Sequence, residues 1–257
     1  MLKWLFRGLR HGVVTTRYPA RAEEAPPGFR GRVEVLAAAA AAETLVELCP
    51  TGAIQVEEGR VSLDRGRCIL CGACVADAPD RFAFVPAYET AVRRRTALVV
   101  GDEAAAALEE LRPALGAQSR TLRRSIHIRH VDAGSDGAEE WEIQALTNPY
   151  YDMQRLGLFF TSSPRHADVL LVTGGVTPSL HEPLLRAYEV MPEPRAVVAV
   201  GADACSGGFA ATTGETAGGV GTVLPVDVYV PGSPPAPIAI LHGLLLAAGV
   251  VTREAAA

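Results

Sequence analysis

Cysteine spacing constrains this chain more than any other feature of it. Cys68, Cys71 and Cys74 form the run Cys-Ile-Leu-Cys-Gly-Ala-Cys, and Cys49 lies upstream with Pro50 directly after it. Buried thiols packing as small hydrophobes have no need of that interval. A four-cysteine zinc site does use C-x2-C pairs. A third cysteine at the same interval, with a separate Cys-Pro, instead favours an iron–sulfur cluster. The sequence thus predicts Cys49, Cys68, Cys71 and Cys74 as the four thiolate ligands of a 4Fe–4S cluster. With only Cys205 left over, the cysteine usage points to a reducing compartment and not to a disulfide framework.

The 257 residues allow one large domain or two modest ones, and 49% hydrophobic content with 21% charge suits a folded protein. A net charge of −5, with no basic stripe interleaved with aromatics, gives no basis for nucleic-acid binding. In residues 1–11, Leu2, Leu5, Phe6 and Leu9 fall at helical spacing, with Lys3, Arg7 and Arg10 on the remaining face. That is the pattern of a short helix on a membrane surface, and a helix packed on a protein neighbour would share it. The segment fits neither a signal peptide nor a spanning helix, and Ile238 to Val251 is too short to span.

Five segments follow from pattern. Residues 1–32 read as the amphipathic segment and an extended arm rich in proline and glycine. Residues 33–86 hold the cysteines and a predicted strand pair, Ile54–Val56 and Val61–Leu63, with a helix beside the cysteine run. Residues 87–124 read as a linker region with a strand at Thr96–Val100, a helix at Glu103–Leu111 and a basic stretch at Arg120, Arg123 and Arg124. Residues 125–251 alternate strand and helix, as in an α/β sheet. Its apolar runs Val169–Thr173 and Ala196–Val200 suit buried parallel strands. A helix is predicted at Glu182–Val190, a strand at Val223–Val230, and a last helix from about Ala236. Residues 252–257 form a tail.

The cysteine pattern resembles one half of a bacterial two-cluster ferredoxin, in which the fourth cysteine of each run ligates the other cluster. By that likeness Cys49 completes the set begun by Cys68, Cys71 and Cys74. The sister set holds Ala39, Ala42, Leu45 and, before Pro79, Ala78, which leaves one cluster. The polyalanine stretch Ala37–Ala42 replaces a cluster loop with strong helix formers. From Ser125 a second likeness begins, carried in order by Ile-His-Ile-Arg-His-Val-Asp-Ala-Gly-Ser (126–135), Thr-Asn-Pro-Tyr-Tyr-Asp-Met-Gln-Arg-Leu-Gly (147–157), Ser-Pro-Arg-His-Ala-Asp-Val-Leu-Leu-Val-Thr-Gly (163–174), Pro-Glu-Pro-Arg-Ala-Val-Val-Ala-Val-Gly (192–201) and Val-Pro-Gly-Ser-Pro-Pro-Ala-Pro (230–237). These resemble the small subunit of group 4 NiFe hydrogenases and the related complex I subunit. Tyr18-Pro19 and Phe29-Arg-Gly-Arg resemble the ferredoxin-type subunit of the same complexes.

The double resemblance implies a fusion: an α+β ferredoxin-like domain followed by an α/β, flavodoxin-like parallel-sheet domain. It also implies a proximal 4Fe–4S cluster, but the matching positions hold Asp136, Glu139, Asp203 and Ser233, so no proximal cluster is expected. Carboxylates and a serine are hard ligands that suit iron–sulfur poorly. The three carboxylates invite a hard-cation or proton site. The plainer reading, favoured from sequence, is a pocket opened to solvent. His127, His130 and His166 read as structural or subunit contacts, and Arg155 and Arg165 match positions suited to holding a neighbouring subunit. The glycine-rich loop after Gly207 lacks G-x-G-x-x-G.

The expected function is a non-catalytic electron-transfer subunit of an oxidoreductase complex akin to NADH:quinone oxidoreductase or formate hydrogenlyase. It would partner a large subunit and membrane subunits, peripheral on the cytoplasmic, inner face of the cell membrane. The alternative is a structural or assembly subunit whose cluster serves only the fold.

Overall fold

The computed structural model describes residues 3–36, 43–101, 112–118, 125–252 and 254–255. The polyalanine stretch, the predicted helix at 103–111 and the basic residues at 120–124 lie outside the described residues. The chain opens with helix α1 (Lys3–His11), none of whose residues is buried. The arm after it packs on the later half of the chain, with Tyr18 fully buried there.

Strands β1 (Arg32–Val35), β2 (Ile54–Glu57) and β3 (Arg60–Asp64), helix α2 (Ala73–Asp77) and strands β4 (Phe82–Val85) and β5 (Val99–Gly101) surround the cysteines. β1 pairs antiparallel with β4, and β3 pairs antiparallel with β2 on one side and β5 on the other. β2 and β3 match the predicted strand pair, and Val33, Ile54, Val61, Leu63, Phe82 and Val100 form their shared core. The strand predicted at Thr96–Val100 is shorter. Residues 95–98 coil as a 3-10 turn because Arg95 is drawn to Asp64, with bonds of 2.9 and 2.7 Å, and only Val99–Gly101 joins the ladder.

Beyond the short helix α3 (Leu115–Gln118) comes the second architecture: β6 (Ile126–Asp132), α4 (Ala138–Ala145), β7 (Leu158–Phe160), β8 (Val169–Thr173), α5 (Pro178–Glu189), β9 (Ala196–Val200), α6 (Gly201–Ser206), β10 (Val228–Val230) and α7 (Pro237–Ala248). The five strands form one sheet in the order β10-β9-β8-β6-β7, every pair parallel. Numbered along the chain this is the 2-1-3-4-5 order of flavodoxin-like folds. β8 and β9 are buried at every position, as their unbroken apolar runs predict for strands covered on both faces. Helix α7 is buried throughout and covers one face; α5 and α6 cover the other.

Two boundaries differ from expectation. The helix predicted at Glu182–Val190 starts at Pro178, a residue whose missing N–H costs nothing in a first turn, and tolerates Pro183 inside. The strand predicted at Val223–Val230 is only Val228–Val230. Pro225 has no N–H to offer a ladder, and Asp227 turns its carboxylate onto the Val197 N–H at 2.7 Å.

Candidate functional site: a thiol pocket and a carboxylate cluster

Cys49, Cys68, Cys71 and Cys74 line one small pocket, walled by Val33, Leu48, Ile54 and Leu63. Local backbone shapes it. Leu70, between Cys68 and Cys71, holds a left-handed φ of 55°, and Gly72 follows at φ 87°, where a Cβ would press on the Phe84 ring at 3.3 Å. Such conformations persist where the surroundings over-determine them, and here they curl the run so that its sulfurs share one space. Arg30 fastens the curl. Its guanidinium donates to the Leu70 and Cys71 carbonyls, each at 3.1 Å, and lies 5.1 Å from the centre of the Phe84 ring. The Ala53 N–H donates to the Cys49 sulfur at 3.2 Å.

Burial pushes the Cys68 thiol up to about 12, and charge on Cys74, Cys49 and Cys71 would push the same way. Burial raises Cys74 as well. Four thiolates cannot share this pocket without positive charge among them, which bound metal supplies, deprotonating its thiols outright. The soft donor set, the apolar wall and the N–H aimed at sulfur all fit an iron–sulfur cluster. Among the described residues no group of three or more His, Cys, Asp or Glu side chains is placed to hold a metal ion directly.

A second group of side chains, a cluster of carboxylates, lies where ligands bind in sheets of this order, at the carboxyl ends of the strands beside the switch point between β6 and β8. After β6 come Asp136, whose carboxylate accepts the Ala138 N–H at 2.9 Å, and Glu139 at the start of α4. After β9 comes Asp203 on α6. Asp136 is exposed, Asp203 half-buried and Glu139 only 3% exposed. Glycines make this crowding feasible. A Cβ on Gly201 would meet the Glu139 Oε1 at 2.4 Å, and one on Gly208 would meet the Asp203 Oδ1 at 1.6 Å. Glu139 Oε2 is buried without a hydrogen-bond partner. Burial raises the Glu139 carboxyl to about 7; its own backbone amide opposes this, while Asp136, Asp203 and Glu140 add to it. Burial and the charge of Asp136 raise Asp203 too.

Sequence reasoning missed that Glu139 is buried, since Ala-Glu-Glu-Trp-Glu reads as a solvent-facing stretch. The fourth residue of that set, Ser233, is exposed and lines a different cavity with Phe29, Arg30, Tyr88 and Tyr151. Arg155 is exposed and donates to the carbonyls of Thr16 and Tyr18 at 2.8 and 2.7 Å, so it ties down the chain's own arm. Arg165 and His166 are exposed. His130 bonds Thr173 at 3.0 Å and stands 3.5 Å from Glu140, and His127 stands 3.6 Å from Asp168. Cys205 is buried, its thiol pushed by burial up to about 12, and it is not among the residues lining the thiol pocket. β3 and the turn after it are tied to α6 by Arg95, which grips Asp64 and donates to the Cys205 carbonyl at 3.0 Å, and by the Ser206 hydroxyl, which donates to the Gly66 carbonyl at 2.8 Å.

Residues 137–247 match the family described as NADH ubiquinone oxidoreductase, 20 kDa subunit. The chain is 39% identical over 135 residues to formate hydrogenlyase subunit 7 of Escherichia coli, covering 52% of this chain and 53% of that one. It is 44% identical over 126 residues to the "Probable membrane-bound hydrogenase subunit mbhJ" of Pyrococcus furiosus, covering 49% of this chain and 75% of that one. It is 43% identical over 113 residues to an NADH-quinone oxidoreductase subunit of Citrifermentans bemidjiense, covering 44% of this chain and 66% of that one. The chain thus spans about half the length of the formate hydrogenlyase subunit. A 44% identity across three quarters of a relative, on a parallel sheet of flavodoxin-like order, makes this chain a member of the NADH ubiquinone oxidoreductase 20 kDa subunit family.

Proposed function

We propose that this chain is an electron-transfer subunit of a membrane-associated complex of the hydrogenase or complex I kind. Its first part, residues 33–86, acts as a ferredoxin-like domain fused to the family domain at residues 125–251. One 4Fe–4S cluster is held by Cys49, Cys68, Cys71 and Cys74, and none by the positions of Asp136, Glu139, Asp203 and Ser233. The observation that carries this reading is the convergence of the four thiols on one apolar pocket. Bound there, a cluster supplies one-electron chemistry. The chain's own part is to exclude water with Val33, Ile54 and Leu63, to aim the Ala53 N–H at the Cys49 sulfur, and to hold the Cys68–Cys74 loop through Arg30.

The names of the relatives support membership of an assembly with a large subunit and membrane subunits. Trp141 and Phe209, both well exposed, offer apolar surface for such a partner. No helix among the described residues is long and apolar enough to cross a membrane. Attachment to the inner face of the cell membrane would run through those partners and through α1, which displays Trp4, Leu5, Phe6 and Leu9. Electron paramagnetic resonance on the purified complex tests the reading. A reduced-cluster signal that appears and decays with the complex's own donor and acceptor is expected. A cluster that stays silent during turnover would instead mark a structural subunit, whose cluster serves the fold.

A further inference from the structure

We propose that Asp136, Asp203 and Glu139 form a proton-binding site, in which the buried Glu139 carboxyl takes up one proton from solvent by way of Asp203 and the exposed Asp136. The site stands apart from the cysteine pocket and does not depend on what that pocket holds.

Three observations carry it. Glu139 is buried at the switch point of the sheet, and its Oε2 has no hydrogen-bond partner. A charged carboxylate in that state is costly, whereas a protonated one becomes a donor to its neighbours. Its other oxygen lies against Gly201, which leaves no room there for a coordinating shell. A hard cation asks for about six oxygens or more, while a proton needs only one. Finally, the carboxylates are graded in exposure, from Asp136 at the surface through Asp203 to Glu139. Such a row can relay a proton into a site that solvent does not reach.

The groups facing Glu139 favour the proton. Asp136 precedes its helix, Glu140 lies on it, and Asp203 and Cys205 lie on α6. Glu140 is itself occupied by the Ser135 and Thr173 hydroxyls and stands beside His130, which burial holds below the usual histidine range. Arg95, the cation that acts on Cys205, is engaged by Asp64. No ion pair reaches Glu139 among the described residues. Burial and like charge thus act together to raise its affinity for a proton, in line with its rise to about 7.

The test is an infrared titration of the full chain between about pH 4 and 9, reading the carbonyl stretch of protonated carboxyl groups. The expected result is a band that disappears with a midpoint near 7, is missing from Glu139→Gln, and moves to lower pH by about half a unit or more in Asp203→Asn. Loss of all protonated-carboxyl signal by about pH 5.5, or survival of the neutral-range band in Glu139→Gln, would overturn the proposal. Should Glu139→Gln fail to fold, the Asp203→Asn midpoint decides: a downward shift of the neutral-range band supports the coupled carboxylate site and an unmoved one refutes it. Repeating the titration with magnesium, calcium or manganese chloride is expected to leave the midpoint in place. A saturable downward shift would replace the proton site by a cation site.

Discussion

The thiol pocket and the carboxylate cluster of this chain follow opposite chemistry. One gathers four soft thiols under an apolar wall and tightens the backbone around them with a left-handed leucine and a glycine. The other, in positions where the family resemblance implies thiolates, carries carboxylates and pushes one of them deep into the fold. Desolvation bears on both, raising Cys68 to about 12 and Glu139 to about 7. The remedy differs. Thiols in such numbers are made ionic by a polynuclear metal centre, whereas a lone buried carboxylate is made neutral by a proton.

The comparison can be broken most forcefully at the thiols. Cys74→Ala should release all iron and sulfide and destabilise the surrounding strands, since a cluster's binding energy is part of the folding energy of its domain. Cys205→Ala, equally buried, should leave the iron content unchanged. Equal iron loss in both variants would dissolve the distinction between ligand and bystander.

Next in size is the pH dependence of stability. Glu139 ionises near 7 when folded and near 4.5 when unfolded, so the folded state binds the extra proton. Stability from this group is full below about pH 4.5 and is lost as pH rises through 7, by at most about 3 kcal/mol. Glu139→Gln should remove that slope, making the variant more stable than the parent at pH 8 and little different at pH 4. Denaturant unfolding at the two pH values reads this directly.

The Arg95–Asp64 bridge is a smaller lever. Arg95→Ala leaves Asp64 without its guanidinium and the Cys205 carbonyl without its donor, at a cost of about 2 kcal/mol in unfolding free energy. The smallest effect belongs to α1. Because nothing on it is buried, Phe6→Asp should change stability by no more than about 0.5 kcal/mol, yet weaken binding to anionic vesicles.

Much of the parallel sheet was legible because its strands are covered on both faces. Val169–Thr173 and Ala196–Val200 stand where their apolar runs put them. Strand ends set by side-chain hydrogen bonds were not legible, as at Arg95 and Asp227, where one long-range partner decides whether the backbone extends. Spacing brought Cys68, Cys71 and Cys74 forward, and the ferredoxin resemblance added Cys49 to them. Glu139 escaped notice for the converse reason. Its burial depends on a glycine sixty-two residues later, Gly201, whose missing Cβ leaves room for the carboxyl, and no local pattern records that meeting. The bonds of Arg155 were hidden in the same way, since its partners, the Thr16 and Tyr18 carbonyls, belong to a distant arm.

Counting iron and acid-labile sulfide in the purified full-length chain tests the central claim most directly. About four of each per chain are expected, lost together when Cys49, Cys68, Cys71 or Cys74 is replaced. About eight of each would contradict the account by placing a second cluster where the carboxylates stand, and a single zinc with no sulfide would contradict it at the thiols themselves.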